Sequence, residues 1–144
     1  ADPSACRLDV TVPVAQLAPD APPVRKAAGL AGELSEGQRK DVKKNMLSKV
    51  QLHADDYPFI TFKSRGCAGS GDTFEVSGDL TLRGQSRPVI LRGSLVADPE
   101  NFQLNGKLEI RASDFGFEPY SAMFGQLKNL DAMSLVVDLQ GEAG

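Results

Sequence analysis

The chain has 144 residues, of which 41% are hydrophobic and 24% are charged, an ordinary composition for one globular domain that argues against wholesale disorder. Sixteen basic and nineteen acidic side chains give a net charge of −3, which argues against a strongly basic nucleic-acid-binding domain. No apolar run reaches the roughly 18 residues of a membrane-spanning helix. We predict a single domain over residues 1–144.

A β-strand is predicted first, over residues 7–17. Leu8, Val10 and Val12 alternate there with polar residues, so one face of the strand is apolar and the other faces water. Pro13 cannot donate a hydrogen bond to a neighbouring strand, which favours an edge position or a bulge.

A short helix is predicted next, over residues 21–28. Asp20 is a favourable N-cap residue, Pro22 suits the first helical turn, and Gly29 is a typical stop. Together with the helix that follows, it forms a helical insertion over about residues 21–47.

The second helix is predicted over residues 36–47, where Ser35 and Gln38 form a capping box. Apolar residues are few, which predicts a surface position. Four basic residues recur at helical spacing, namely Arg39, Lys40, Lys43 and Lys44. This basic face has three interpretations: a solvated surface, a docking patch for an anionic membrane, or a site for a lipid phosphate headgroup.

Five further strands are predicted in the second half of the chain, at residues 58–65, 73–83, 87–97, 101–113 and 132–140. Apolar and polar residues alternate in them, and loops of hairpin length join the first four, so we expect an antiparallel meander. Strands with one apolar face each must share an interior, and a barrel or a strongly curved half-barrel provides one. Gly78, Gly93 and Gly106 fit the bends that such curvature requires, although neutral packing choices would explain them as well.

Several segments, in this order and spacing, resemble the YceI-like family. They are residues 54–62 (ADDYPFITF), 78–84 (GDLTLRG), 87–89 (RPV) and 111–116 (RASDFG). The resemblance spans nearly the whole chain and implies an all-β, antiparallel, lipocalin-like barrel that holds an isoprenoid or similar lipid in the bacterial periplasm. Members of the family usually begin with further opening strands, which the printed sequence does not carry. We therefore expect an incomplete barrel with an open seam, where a second copy could pair through an exposed strand edge.

The two cysteines, Cys6 and Cys67, have two interpretations. If Val10 lies opposite Phe62 in an antiparallel pair, Cys6 lies opposite Gly66, one residue from Cys67. A disulfide is then geometrically reasonable and would support an exported protein. The alternative is two unrelated thiols.

Catalysis has little support in the sequence, and we predict no enzyme, metal or cofactor. His53 is the only histidine and lies near Asp55 and Asp56, but no Gly-x-Ser-x-Gly motif accompanies it. Residues 114–116 (DFG) match a kinase metal-binding tripeptide without the rest of the kinase motifs. We expect them to end a strand, with Asp114 bonding to nearby backbone.

The apolar interior is the preferred site. Phenylalanine and methionine suit an adaptable pocket for a flexible chain. The predicted lining residues are Phe59, Phe62, Phe74, Leu108, Ile110, Phe115, Phe117, Met123, Phe124 and Met133. Residues 116–125 form either a flap at the barrel mouth or a packed plug.

The resemblance implies the non-catalytic binding, transport or sequestration of an isoprenoid-type or other long-chain apolar lipid in the periplasm. From the residues alone a filled core is the simpler interpretation, and the family resemblance shifts the balance to lipid binding. The alternative function is a structural or protein-interaction module with a filled interior. The expected partners are the lipid, a membrane surface in peripheral contact, and a second copy of the chain, without nucleic acid.

Overall fold

The computed structural model describes residues 7–122, 127–128 and 130–142. Its strands are β1 (Asp9–Pro13), β2 (Phe59–Ser70), β3 (Thr73–Leu82), β4 (Gln85–Ala97), β5 (Asn101–Arg111), β6 (Ser121–Ala122), β7 (Leu127–Lys128) and β8 (Ala132–Glu142). The helices are α1 (Pro22–Ala27) and α2 (Glu36–Leu47), and Val14–Gln16 and Ala112–Phe115 form 3-10 turns.

Six strands form one antiparallel sheet in the order β1-β2-β3-β4-β5-β8, and β6 and β7 form a separate hairpin. The sheet is curled into a half-barrel, which confirms the predicted all-β antiparallel class. Over the described residues β1 and β8 are its two edges and do not pair with each other. In the part of the chain that the structure describes, the sheet is therefore an open half-barrel, as predicted.

Period-two alternation decides which side chains enter the core. Val10 pairs with Phe62 and Val12 with Ile60, which is the predicted register. The buried cluster consists of Val14, Leu52, Ile60, Phe62, Val76, Leu80, Leu82, Leu91, Leu108, Ile110, Ala112, Phe115 and Phe117. Most of these come from alternate positions of the central strands, whose other positions face solvent.

Strand β2 runs farther than the sequence indicates, to Ser70 instead of residue 65. Its register against β3 shifts between Ser64 and Gly66, which marks a bulge. The extra residue breaks the alternation, and glycines in the second half lower its strand propensity. The loop predicted at residues 69–72 is correspondingly reduced to a turn at Gly71 and Asp72.

Helix α2 begins where the capping box predicts. The Gln38 amide donates to Ser35 Oγ at 3.2 Å, and the Ser35 amide donates to Gln38 Oε1 at 2.8 Å. The helix buries none of its residues fully, as expected for a surface position, and Lys40 pairs with Glu36 at 2.9 Å. The three interpretations of the basic face stay predictions. No helix in the described part of the chain is long and apolar enough to cross a membrane.

The short helix predicted over residues 21–28 is confirmed as α1, but its N-cap is not the predicted Asp20. Asp20 has a φ of 53° and binds Arg25 at 3.0 Å, so Ala21 takes the N-cap position without a side-chain hydrogen bond. Pro22 in the first turn fixes a helical φ and needs no amide partner, so the helix can start without a capping side chain. Gly29 follows the helix in the left-handed region at a φ of 70°, as a stop residue should.

Segments outside the sheet close one end of the half-barrel, which we call the closed end. Its buried side chains are Val14, Leu52, Phe115 and Phe117. Arg83 joins these segments: its guanidinium donates to the carbonyl oxygens of Gly116 at 2.7 Å and Lys49 at 3.1 Å. The same group lies 5.8 Å from the ring centre of Phe117, within range of a cation–π contact.

Candidate functional site

Most of the predicted lining residues in the described part of the chain do face the interior. The fully buried ones are Phe62, Leu108, Ile110, Phe115 and Phe117, and the half-buried ones that pack against them are Phe74 and Met133. Met123 and Phe124 lie outside the described residues, so their place in the site stays a prediction. Phe117 is packed in the closed end, which favours the plug over the flap for the first part of residues 116–125.

The prediction that Phe59 lines the interior was wrong, because its side chain is 55% exposed. Ile60 and Phe62 point inward on β2, and successive side chains on a strand point to opposite faces. Phe59 therefore lies on the outer side, opposite Pro13 at the end of β1.

Side chains fill the middle of the interior where the strands carry glycine. A Cβ placed on Gly78 would clash with the backbone oxygen of Lys63 on β2 and would lie 2.6 Å from Phe62 Cζ, and one on Gly106 would lie 2.7 Å from Leu91 Cδ1. Aromatic and aliphatic groups thus cover the glycine backbone, a known device in curved sheets. The glycines of β3 and β5 make room for neighbouring side chains and leave little space for a ligand at these two points.

The apolar inner face continues beyond the buried cluster toward both edges of the sheet, where it is only half-buried. We call this surface the apolar margin; it consists of Leu8 just before β1, Val10 on β1, and Met133, Leu135 and Val137 on β8. Of these, only Met133 is among the lining residues predicted from the sequence. The alternation in β8 was a sufficient signal for Leu135 and Val137, because they share the face of Met133.

The contacts of His53 are those of a turn residue. Its Nε2 lies 3.3 Å from Asp56 Oδ2, and its ring meets Tyr57 edge-on at 5.7 Å between centroids. His53 also has a φ of 51°, at the turn that follows buried Leu52. Among the described residues no group of three or more histidines, cysteines or carboxylates is placed to hold a metal.

The tripeptide Asp114-Phe115-Gly116 belongs to the turn after β5. Phe115 is 1% exposed and part of the core, and Gly116 ends the turn with a φ of 77°. The carboxylate that binds this turn is that of Asp131, which accepts the Ser113 amide at 2.9 Å and the Ser113 hydroxyl at 2.6 Å. We expected Asp114 to bond to nearby backbone. The side-chain hydrogen bonds of this turn instead join Ser113 to Asp131, which lies just before β8.

Only one of the two cysteines of the predicted disulfide, Cys67, lies among the described residues. Cys67 is half-buried and packs against the core, and no cysteine among the described residues is free. Cys6 lies outside the described residues, so its bond to Cys67 stays a prediction.

The chain thus folds into an antiparallel half-barrel whose inner face is apolar. The family model of the YceI-like domain matches residues 1–141, and the chain therefore belongs to the YceI-like family. This family has a binding-protein fold and is not known as an enzyme family.

Two curated relatives illustrate the similarity in sequence. The UPF0312 protein plu2095 of Photorhabdus laumondii is 31% identical over 83 residues, which cover 52% of this chain and 42% of that protein. The protein YceI of Shigella flexneri is 30% identical over 76 residues, which cover 47% of this chain and 40% of that protein. The matched region thus spans less than half the length of either relative.

Solved structures show the likeness in fold. A crystal structure of a mutant Campylobacter jejuni YCEI protein has a TM-score of 0.67 at 16% identity, covering 96% of this chain and 73% of that chain. Burkholderia cenocepacia BcnA has a TM-score of 0.68 at 20% identity, covering 94% of this chain and 74% of that chain. The half-barrel therefore has the family fold.

Proposed function

We propose that this protein binds an isoprenoid-type or other long-chain apolar lipid without catalysis, and carries or sequesters it in the bacterial periplasm. The observation that supports this function is the apolar margin. It extends a fully buried cluster with half-buried aliphatic side chains along β8 and β1. An apolar chain lying on the margin would complete the burial that the sheet begins.

The free energy of binding would come from removing apolar surface from water. Each methylene buried contributes about 0.8 kcal/mol, so affinity should rise with chain length. Leu108 and Ile110 form the floor of this site, and Phe74, Leu135 and Val137 would contact the ligand directly. Phe115 and Phe117 would limit how far the chain penetrates toward the closed end.

Native mass spectrometry on protein purified without detergent, followed by organic extraction, tests the proposal and names the cargo. We expect a stoichiometric long-chain adduct and, after delipidation, binding of geranylgeraniol. A clean apo mass with no geranylgeraniol binding would overturn the proposal.

Two adjacent residues of β8 provide a matched pair of variants. Leu135→Glu places a charge on the half-buried inner face and should weaken geranylgeraniol binding about tenfold or more, because a charge in an apolar contact costs desolvation. Val136→Glu places the same charge on the outer face, at a side chain already 52% exposed, and should leave binding unchanged. Equal effects of the two variants would contradict a site on the inner face, and thermal unfolding of both checks that they fold.

The open edge of β8 favours a second candidate function, in which the protein acts as an interaction module. Eleven residues of this strand pair with β5 on one side, and over the described part of the chain the sheet ends there. Unpaired strand edges are templates for pairing with another chain, and a second copy of this protein is the expected partner. A dimer mass in the native spectrum, lost in a variant with Ser134→Pro, would support it, and a monomer at all concentrations would contradict it.

A further inference from the structure

Arg83 occupies a turn position for which its backbone preference does not account. It forms the two-residue turn between β3 and β4 with Gly84, and both residues have a positive φ, 52° at Arg83 and 72° at Gly84. Leu82 and Gln85 pair across this turn. Hairpin turns of this geometry favour asparagine or aspartate followed by glycine, and a positive φ is uncommon for other side chains. What the arginine adds to this turn is therefore the reach of its side chain.

The Arg83 side chain bridges two segments that are distant in the sequence. Its guanidinium donates to the carbonyl oxygen of Lys49, which follows α2, at 3.1 Å and to that of Gly116, which follows the turn Ala112–Phe115, at 2.7 Å. Hydrogen bonds from a charged donor are stronger than neutral ones, and the planar guanidinium fixes the direction of both. Arg83 therefore holds residues 116–118 against the segment after α2.

Phe117 is anchored on both sides along the chain. The carbonyl oxygen before it, that of Gly116, accepts from Arg83, and the carbonyl oxygen after it, that of Glu118, accepts from the Gln51 side-chain amide at 2.9 Å. The Phe117 ring is 6% exposed and belongs to the buried cluster, and the Arg83 guanidinium lies 5.8 Å from its centre. Displacing this ring from the closed end therefore requires breaking bonds that come from two other segments.

The apolar margin leads to this anchored ring. Val14, which directly follows β1, is part of the buried cluster at the closed end. Asp131, just before β8, binds the turn Ala112–Phe115 through Ser113 at the same end. Strand β1 thus ends, and β8 begins, where Phe117 is held. A chain that lies on the margin along these two strands has the closed end at one of its tips.

We propose that Phe117 sets the maximum length of the apolar chain that the protein buries, and that Arg83 is the positioning residue that holds Phe117 in place. The inference rests on the proposed function and adds to it a chain-length limit and the residues that set it. Methylenes up to the limit leave water and raise the affinity, whereas those beyond the limit stay outside the site. An anchored ring gives a sharp limit, and a ring on a loose segment would yield to longer chains.

Competition against geranylgeraniol on the delipidated full chain, read by native mass spectrometry, ranks the primary alcohols from octanol to octadecanol. We expect the affinity to rise about fourfold per added methylene and then to level off at one chain length. Phe117→Ala should leave the rise unchanged and move the levelling-off to longer alcohols. Phe117→Leu removes less volume and should move it less, and this variant tests the limit if the alanine variant does not fold.

Arg83→Asn separates the turn from the hydrogen bonds of the arginine side chain. Asparagine suits the positive φ of this turn and is too short to bridge Lys49 and Gly116. We expect alcohols longer than the parent limit to gain affinity, about fourfold for each further methylene admitted, while shorter alcohols bind as before. Arg87→Asn is the control: it removes the same charge from the same hairpin, at an exposed side chain that donates to the adjacent Ser86 carbonyl, and should keep the parent limit.

The outcomes separate the limit from the proposed function. An affinity that rises through octadecanol without levelling off overturns the limit and leaves the apolar site intact. An unchanged limit in the folded Phe117 variants overturns the role of Phe117, and an unchanged limit in Arg83→Asn overturns the role of Arg83. An equal loss of affinity for all alcohols shows a structural role alone and also overturns the assignment of that residue. If no alcohol competes, the proposed function is overturned as well.

Discussion

Gly93 occupies a place in the sheet where no side chain fits. A Cβ there would lie 1.9 Å from the backbone oxygen of Asn105 on β5. Because the obstacle is backbone, it can move only if the two strands separate. From the sequence alone this glycine fits either a bend or a neutral packing choice, whereas the structure shows that the close approach of β4 and β5 requires it.

We expect Gly93→Ala to lower the free energy of unfolding by about 1–3 kcal/mol, the usual cost of overpacking a sheet. Gly37→Ala is the matched control, because its Cβ would meet only Ser35 Oγ at 4.0 Å on the surface of α2. That substitution should stabilise the protein by about 0.5–1 kcal/mol through helix propensity. Urea denaturation measures both, and a neutral Gly93→Ala would contradict the close approach.

Asp98 should make the β4–β5 turn sensitive to acid. Its carboxylate accepts the backbone amides of Glu100 at 2.8 Å and Asn101 at 2.7 Å, and these bonds, first that of Glu100, hold its pKa below the usual value. A depressed carboxyl pKa contributes stability above the unfolded-state pKa, and this contribution is lost as the pH falls through the folded-state pKa.

Asp98→Ala should therefore lower the melting temperature at neutral pH, and the difference from the parent should shrink below the folded-state pKa of Asp98. Thermal unfolding from neutral to strongly acidic pH measures the difference. A constant difference across that range would mean that the effect is not one of ionisation.

The start of α2 shows how far local chemistry alone can define an element. Both hydrogen bonds of the capping box lie within four residues, so the printed sequence was enough to place Ser35 as the cap. The prediction that Asp20 caps α1 was wrong, because the Asp20 carboxylate accepts a hydrogen bond from Arg25 and Ala21 takes the N-cap position. The second half of β2 was missed because the bulge at Ser64 and Gly66 depends on its pairing with β3.

Ser35→Ala should destabilise the first turn of α2, at a cost of about 1 kcal/mol typical of a lost N-cap. Ser35→Asp should retain the cap, because its carboxylate accepts the same Gln38 amide and suits the helix dipole. Hydrogen exchange at Gln38 is the direct readout: it should accelerate in the alanine variant alone. Equal protection in both variants would show that packing, and not the cap, holds this end.

A disulfide between Cys6 and Cys67 would tie the start of the chain to β2. The observed pairing of Val10 with Phe62 is the register on which this prediction depends. Closing a loop of about 60 residues stabilises by roughly 4 kcal/mol in the chain-entropy model.

Thiol titration of the denatured protein without reductant should find no reactive thiol, and reduction should lower the melting temperature markedly. The Cys6→Ser/Cys67→Ser variant is the control, since reductant should not change its melting temperature. Two titratable thiols in the parent protein would contradict the bond.

The printed sequence was sufficient for most features that depend on neighbouring residues, although not for the N-cap of α1. Alternation predicted the six strands of the main sheet and most of the inner face, including Phe62, Leu108 and Ile110, and the capping box predicted α2. The same alternation places Phe59 on the outer face and Leu135 on the inner face, as the structure shows. Tertiary structure alone decided that β1 and β8 are unpaired edges over the described residues, and that β4 and β5 separate beyond Arg92 and Lys107. The physical reason is that a strand's pattern specifies which face is apolar, whereas its partners and the length of each ladder depend on contacts between distant parts of the chain.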